Sequence, residues 1–332
     1  MTKKCIGCGS TLQSEITNKP GYIKKEKYKD SDYCERCFKI INYGECDIVN
    51  EIKNFNKIID KINESDGTVV YLVDLLNITK EEIDYISKFK KNVIVLLTKK
   101  DVLPKSVKEK KLISYFKDNY FNKEDILCIS SFKKYNIDKF LDLLYKKNIK
   151  KIFVVGFTNV GKSTFINSLV SAKNGKPVIT TSAVPNTTSD FINIEIGNLT
   201  ICDTPGFVSE NSIYNFLKLK DVIKLMPKKE IKVKTYQIKP DESIIVDNIL
   251  RIDHIGNKTN SFSFYMNNNL PFERIKIKTN EKLKMLPKKN IHIKGNEDVV
   301  INGLGFIKIV KETDIVVYTL DEKLISVRNK MI

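Results

Sequence analysis

The chain has 332 residues, 42% of them hydrophobic, more than one hydrophobic core usually organises, so two or three domains are expected. Its 57 Lys and Arg against 40 Asp and Glu leave a formal net charge of +17, beyond the needs of solubility. That excess points to a polyanionic partner, with lysine-rich codon bias as the alternative source, and the lack of any apolar run near the roughly 18 residues of a membrane span excludes a transmembrane helix.

Residues 1–50 carry Cys5-x2-Cys8 and Cys34-x2-Cys37 with little periodicity. Two turns supplying four thiolates are what a tetrahedral structural Zn²⁺ needs, and four protein ligands leave no position for a reacting water. An iron–sulfur cluster is the alternative. In the reducing cytosol, the expected location, disulfides are not favoured, so Cys46, Cys128 and Cys202 read as buried packing residues.

Residues 51–210 read as a second domain in which apolar strands alternate with amphipathic helices, the pattern of a parallel sheet. Strands are predicted at Thr68 to Asp74, Asn92 to Thr98, Ile126 to Ser130 and Lys151 to Val155. A helix is predicted over Lys162 to Ser171, then a polar loop at 173–188, then a hairpin pairing Phe191 to Ile196 with Leu199 to Asp203 around Gly197-Asn198. Residues 211–332 read as a third, α+β or β-rich domain with β-prone segments at Ile231 to Ile238, Phe262 to Met266 and Ile315 to Leu320.

The chemistry concentrates after the strand KIFVV. Gly156-Phe-Thr-Asn-Val-Gly161-Lys162-Ser163 matches GxxxxGK[ST] and opens a helix, the context in which backbone N–H groups and a helix N-terminus cradle phosphates. Thr158, Asn159, Val160, Gly161, Lys162, Ser163 and Thr164 are therefore expected around a nucleotide, with Lys162 reaching the β and γ phosphates and the Ser163 hydroxyl on Mg²⁺. Asp203-Thr-Pro-Gly206 follows about 40 residues later; its carboxylate suits the Mg²⁺ hydration shell and the Gly206 N–H suits the γ-phosphate. Between them Thr187 and Thr188 are the two candidates for a switch threonine.

Guanine choice is expected from Thr98-Lys99-Lys100-Asp101, because the Asp101 carboxylate can accept from both N1–H and the exocyclic amine of guanine and from neither position of adenine. Lys99 is expected to lay its stem along base and ribose. Thr98 stands where Asn is usual, so a weaker bridging hydrogen bond is expected there. Ser130-Ser131-Phe132-Lys133 reads as the loop at the base edge. The fold expected is a phosphate-loop GTPase domain of the α/β class whose motifs are circularly permuted, since the base motifs precede the phosphate loop. Such reordering is tolerable because termini of a doubly wound sheet lie close together and the site depends on loop positions.

On CIGCG at Cys5, NKPGY at Asn18, CERCFKI at Cys34, GFTNVGKST, DTPGF and INGLGFIKI at Ile301, the chain resembles the YqeH family of circularly permuted GTPases over essentially its full length. The resemblance implies a zinc finger, a permuted GTPase domain, a C-terminal RNA-binding-type domain and a role in assembling the small ribosomal subunit. A regulatory GTPase with a protein partner is the second reading, and a metal-dependent redox or synthase enzyme, lacking any haem or flavin motif, a distant third. No DNA partner is expected.

Phe207 occupies the position after DTPG where many GTPases keep a water-orienting glutamine, so slow intrinsic hydrolysis is expected. Asn159 sits where K⁺-stimulated GTPases of similar motif keep an ion ligand, against the plainer reading that it steadies the loop. Residues 208–332 hold 23 Lys and Arg against 15 Asp and Glu, and 276–294 alone hold seven lysines and one glutamate. Lys276 and Lys278 are expected to alternate along a strand and Lys284, Lys288 and Lys289 to flank a proline turn, forming a face for phosphates. Phe262, Phe264 and Tyr265 read first as core and second as a base-stacking platform. His254 and His292 receive no role.

Overall fold

The computed structural model describes residues 3, 5, 10–17, 21–29, 31–35, 37–38, 55–121, 125–172 and 191–332. Packing divides the chain into two compact units: Met1–Leu75, Glu81–Lys100 and Lys123–Ser209 form the first, while Leu76–Lys80, Asp101–Asn122 and Glu210–Ile332 form the second.

In chain order the first elements are α1 (Phe55–Glu64), β1 (Thr68–Asp74), β2 (Val93–Thr98), α2 (Glu109–Asn119), β3 (Ile126–Cys128), α3 (Ile137–Lys146), β4 (Lys151–Gly156), α4 (Lys162–Ala172), β5 (Ile192–Ile196) and β6 (Leu199–Asp203). In the first unit, α1 buries Ile58, Ile59 and Ile62, spaced to share one helical face, and α3 does the same with Ile137, Phe140 and Leu144. The strands TVVYLVD and VIVLLT are buried along their whole length, as strands covered on both faces must be, which is why they read as unbroken apolar runs.

Among the described residues the sheet has six strands in the order β3-β2-β1-β4-β6-β5. β1–β2, β2–β3, β1–β4 and β4–β6 pair in parallel, and β5–β6 is the antiparallel hairpin. The phosphate-loop strand β4 therefore sits between β1 and β6, although β1, β2 and β3 all precede it in sequence. That is a circular permutation: the sheet keeps its neighbours while the chain enters elsewhere. Register brings the functional ends level, with Asp74 opposite Thr98 and Leu72 opposite Gly156, so their loops open on the carboxyl edge of the sheet. A small satellite core of Cys5, Leu12, Ile23, Cys34 and Cys37 lies under Tyr28 and Tyr33.

The second unit adds α5 (Leu219–Leu225), β7 (Lys234–Ile238), β8 (Glu242–Val246), β9 (Leu250–His254), β10 (Asn260–Tyr265), β11 (Phe272–Lys276), β12 (Lys288–Ile293), β13 (Glu297–Ile301), β14 (Gly305–Ile309), β15 (Thr313–Thr319) and β16 (Ile325–Asn329). Among the described residues they form two five-stranded antiparallel sheets, β16-β13-β14-β10-β7 and β11-β8-β9-β15-β12. Their inward positions, Ile244, Ile252, Phe262, Phe264, Val299, Ile307 and Val317 among them, make one core. Gly305, at φ 130°, leads into β14 because a Cβ there would lie 2.2 Å from the Tyr265 carbonyl oxygen.

In this unit the first reading of the aromatic residues, as core, holds, while two strand expectations shift. Phe262 and Phe264 are core, and Tyr265 is buried with its ring stacked 4.4 Å from Phe306, so none of the three offers a face to a base. Lys278 does not continue the alternation from Lys276: β11 ends at Lys276 and Ile277–Thr279 is a 3-10 turn. The strand expected from Ile231 starts at Lys234. His254 is buried, bonded to the Lys239 carbonyl and the Thr313 hydroxyl.

Candidate functional site

The phosphate loop joins β4 to α4 through five residues whose backbone turns left-handed at Asn159 (φ 64°) and Gly161 (φ 97°). It is stitched to the Asp203-Thr-Pro-Gly206 segment: Thr158 N–H donates to the Phe207 carbonyl at 2.8 Å and Phe207 N–H donates to the Gly156 carbonyl at 3.1 Å. Thr204 Oγ1 anchors the same segment on the Val154 carbonyl at 2.8 Å. A Cβ at Gly206 would stand 2.8 Å from Lys162 Nζ and 3.3 Å from Thr158 Cγ2, so a side chain there would push the lysine head aside.

Lys162, the first residue of α4, is buried and donates to the carbonyls of Gly156 (2.9 Å) and Phe157 (3.3 Å). Burial drives its pKa down to about 8, and the nearby Asp203 carboxylate only partly restores it. Asp203 is wholly buried at the end of β6. Lys162, Asp203 and Gly206 thus gather at the mouth of one loop. Phe207 points away from that mouth into an aromatic cluster with Phe55 (ring centroids 4.8 Å apart), Tyr85 (5.6 Å) and Phe157 (5.7 Å).

On the β2 side, Thr98 Oγ1 reaches the Val160 carbonyl of the phosphate loop at 2.9 Å and the Val73 carbonyl at 3.2 Å. The hydroxyl therefore forms the bridge to the phosphate loop at ordinary hydrogen-bond length. Lys99, at φ 61°, places Nζ 2.7 Å from Asp74 Oδ2. Lys100 N–H donates to the Ile129 carbonyl (3.2 Å), tying the β2 end to the Ser130 loop. In that loop Ser130 Oγ accepts from Lys133 N–H (3.0 Å), Ser130 and Tyr135 exchange backbone bonds, and Phe132 is 72% exposed. Asp101 follows Lys100 directly in the turn Lys100–Val102.

Sequence reasoning passed over Asp74 and Glu82. The Glu82 carboxyl is held well above the usual carboxylate range by burial and then by Asp74, with Lys99 opposing. The signal for Asp74 was an acid closing the otherwise apolar strand TVVYLVD. Thr187, Thr188 and Cys8 lie outside the described residues.

Cys5, Cys34 and Cys37 are buried with Sγ atoms all within 4.8 Å of one another. Thiolates around one tetrahedral zinc stand about 3.8 Å apart, so the three fit such an ion with little adjustment. The Cys34 N–H lies 3.2 Å from Cys5 Sγ and the Cys37 N–H 3.5 Å from Cys34 Sγ, donors that favour the thiolate form.

YqeH of Bacillus subtilis (strain 168) is 33% identical over 290 residues, covering 84% of this chain and 79% of its own. The chain belongs to the YqeH family. A family model described as "50S ribosome-binding GTPase" matches residues 151–260. GTPase Der of Karelsulcia muelleri is 28% identical over 233 residues, 64% of this chain, which spans about half (52%) of that relative. Among solved structures, YjeQ from Thermotoga maritima aligns with a TM-score of 0.32 at 18% identity, over 43% of this chain and 49% of its own. This member of the YqeH family is accordingly a GTPase, with GTP or GDP and Mg²⁺ as its ligands and a cysteine cluster suited to a metal. None of the described helices is long and apolar enough to cross a membrane.

Proposed function

We propose that this GTPase is a switch whose nucleotide state controls binding to RNA or ribonucleoprotein, acting in the cytoplasm on the assembling small ribosomal subunit or its rRNA. The observation that carries the nucleotide half is the buried Lys162. Its ammonium is desolvated against two carbonyls, with Gly206 kept bare beside it, an arrangement that triphosphate oxygens would complete. Asn159, Val160, Gly161, Ser163 and Thr164 would wrap the phosphates through their N–H groups, beside Thr158, whose own N–H is held by the Phe207 carbonyl. Ser163 and Asp203 would hold Mg²⁺, which neutralises phosphate charge when bound. Thr98, Lys99, Asp101, Ser130, Ser131 and Phe132 select and seat guanine. Asp101→Asn tests that assignment: nucleotide preference should move from guanine toward xanthine, and unchanged guanine affinity would remove it.

With Phe207 committed to the aromatic cluster, hydrolysis relies on Lys162, the Gly206 N–H and one of Thr187 or Thr188, and is slow. K⁺ is proposed as a helper at Asn159, whose side-chain carbonyl oxygen is the amide atom able to ligate a cation. Turnover should be faster in KCl than in NaCl; equal rates at matched ionic strength exclude it. Cys5, Cys34 and Cys37, with Cys8, would hold a structural Zn²⁺ that organises the N-terminal module.

The RNA half rests on the +17 charge and on exposed Lys276, Lys288 and Lys294, which have no ion-pair partners among the described residues. Lys278, Lys282 and Lys284, by contrast, sit beside Asp241, Glu273 and Glu281. Sedimentation with purified 30S and 50S particles in GTP analogue or GDP, across a salt series, is the test. Nucleotide-dependent, salt-sensitive binding to 30S supports the proposal, and capture of a protein partner with neither particle favours a regulatory GTPase.

A further inference from the structure

We propose that Asp74 is a positioning residue for guanine recognition, its carboxylate fixing the Lys99 ammonium so that the lysine stem lies where base and ribose pack. This rests on reading Thr98-Lys99-Lys100-Asp101 as the base motif. Asp74 and Thr98 are the last residues of two paired parallel strands and stand opposite each other, so the sheet register itself delivers the carboxylate to Lys99. The contact, 2.7 Å, joins an Asp74 side chain 5% exposed to a Lys99 side chain 24% exposed, where solvent screens it little. Lys99 is also held in the left-handed region, uncommon for a long side chain, so its direction is set at both the backbone and the ammonium.

A plain strand-to-strand clamp explains less. The β1 and β2 ends are already joined by Leu75 N–H to the Thr98 carbonyl and by Thr98 Oγ1 to the Val73 carbonyl. A second carboxyl, Glu82, is buried close enough to Asp74 to feel its charge. Two carboxyls buried around one ammonium cost desolvation, and a protein tolerates that most readily where one cation must be kept in one place.

The test compares GDP dissociation constants and GTP turnover for wild type, Asp74→Asn, Lys99→Met, the double variant and Asp74→Glu. Asp74→Asn and Lys99→Met should each weaken GDP about tenfold, the scale of one charge-assisted hydrogen bond, with the loss falling on KM rather than kcat. The double variant should be no worse than Lys99→Met alone, and Asp74→Glu should recover most of the affinity. Because Glu82 could take up Lys99 once Asp74 is neutral, Asp74→Asn/Glu82→Gln is measured beside them, and Asp74→Ser replaces Asp74→Asn if that variant does not fold. Additive losses in the double variant, or a lowered melting temperature with unchanged GDP affinity, would overturn the assignment. Asp101→Asn separates the two readings: unaltered guanine preference there removes the base motif and Asp74's role together, whereas altered preference with a silent Asp74→Asn removes only the latter.

Discussion

In the second unit Arg251 is wholly buried, and its guanidinium is met on nearly every side: Asp253 Oδ1 at 2.6 Å from Nε, Asp253 Oδ2 at 3.3 Å from Nη2, and the carbonyls of Asn280 and Lys282 at 2.7 and 2.9 Å from Nη1. In the first unit Lys162 is buried almost as deeply but meets only two carbonyls, and its pKa falls accordingly. The first charge is compensated from within and pins the 280–282 loop to the sheet. The second is left in deficit at a loop mouth. Buried charge that the fold itself satisfies marks architecture, and buried charge that it does not satisfy marks a place for a ligand.

The largest effect that would break this contrast is on stability. Arg251→Met strands the Asp253 carboxylate and should cost about 3–5 kcal/mol in urea unfolding of the second unit, with kcat for GTP unchanged. Lys162→Met should do the reverse: stability stays level or rises, while turnover falls about 10²–10³-fold, about 3–4 kcal/mol of barrier. If both variants lost stability equally, the two lysine and arginine sites would be the same kind of object and the contrast would fail.

The pH dependence sharpens the same point. The Lys162 pKa is lowered from 10.5 to about 8, so between those values the unfolded chain binds more protons than the folded one, and stability rises with pH. Below about pH 8 both states are protonated and the penalty is fully present; by about pH 10.5 it is relieved, by about 3 kcal/mol. The measurement is the difference between wild-type and Lys162→Met unfolding curves from pH 7.5 to 10.5, in which the tyrosine titrations common to both cancel. The same linkage requires GDP binding near pH 9 to take up a proton at Lys162, visible as calorimetric heats that change with buffer ionisation enthalpy. Flat difference curves would mean that the ammonium is already satisfied without nucleotide.

How much of this was legible in the sequence follows the same division. β1 was read to the residue and the strand before the phosphate loop to within one, because parallel strands buried on both faces are unbroken apolar runs; β6, LTICD, was read to the residue because a Gly-Asn turn and the local DTPG motif bound it. The strand pattern of the second unit was seen only in fragments. Its strands carry Arg251, Asp253, Asp298 and Arg328 at buried positions, charges that a sequence reading assigns to solvent until cross-strand partners such as Asp298–Arg328 are known. Lys278 and Lys284 counted toward a basic face in sequence, and Lys282 toward the local excess of lysine, yet each faces an acid, and local spacing does not reveal Asp241 or Glu273. Asp74 was hidden for a related reason, since its partner lies 25 residues away and is brought near only by sheet register.

Thr98 offers the smallest and most selective test, because it belongs to neither class of charge. Its single hydroxyl proton is shared between the Val160 and Val73 carbonyls, one on the phosphate loop and one on β1, so it couples the base side of the first unit to the phosphate side. Thr98→Val keeps the shape and removes the bond, leaving two buried carbonyls without that donor; a loss of about 1 kcal/mol is expected. If the hydroxyl only supports the fold, that loss appears as a lower urea midpoint with GDP affinity intact. If it holds the phosphate loop in its binding geometry, GDP weakens about fivefold in step with stability, and Thr98→Asn, whose amide can donate to both carbonyls at once, restores the affinity or exceeds it.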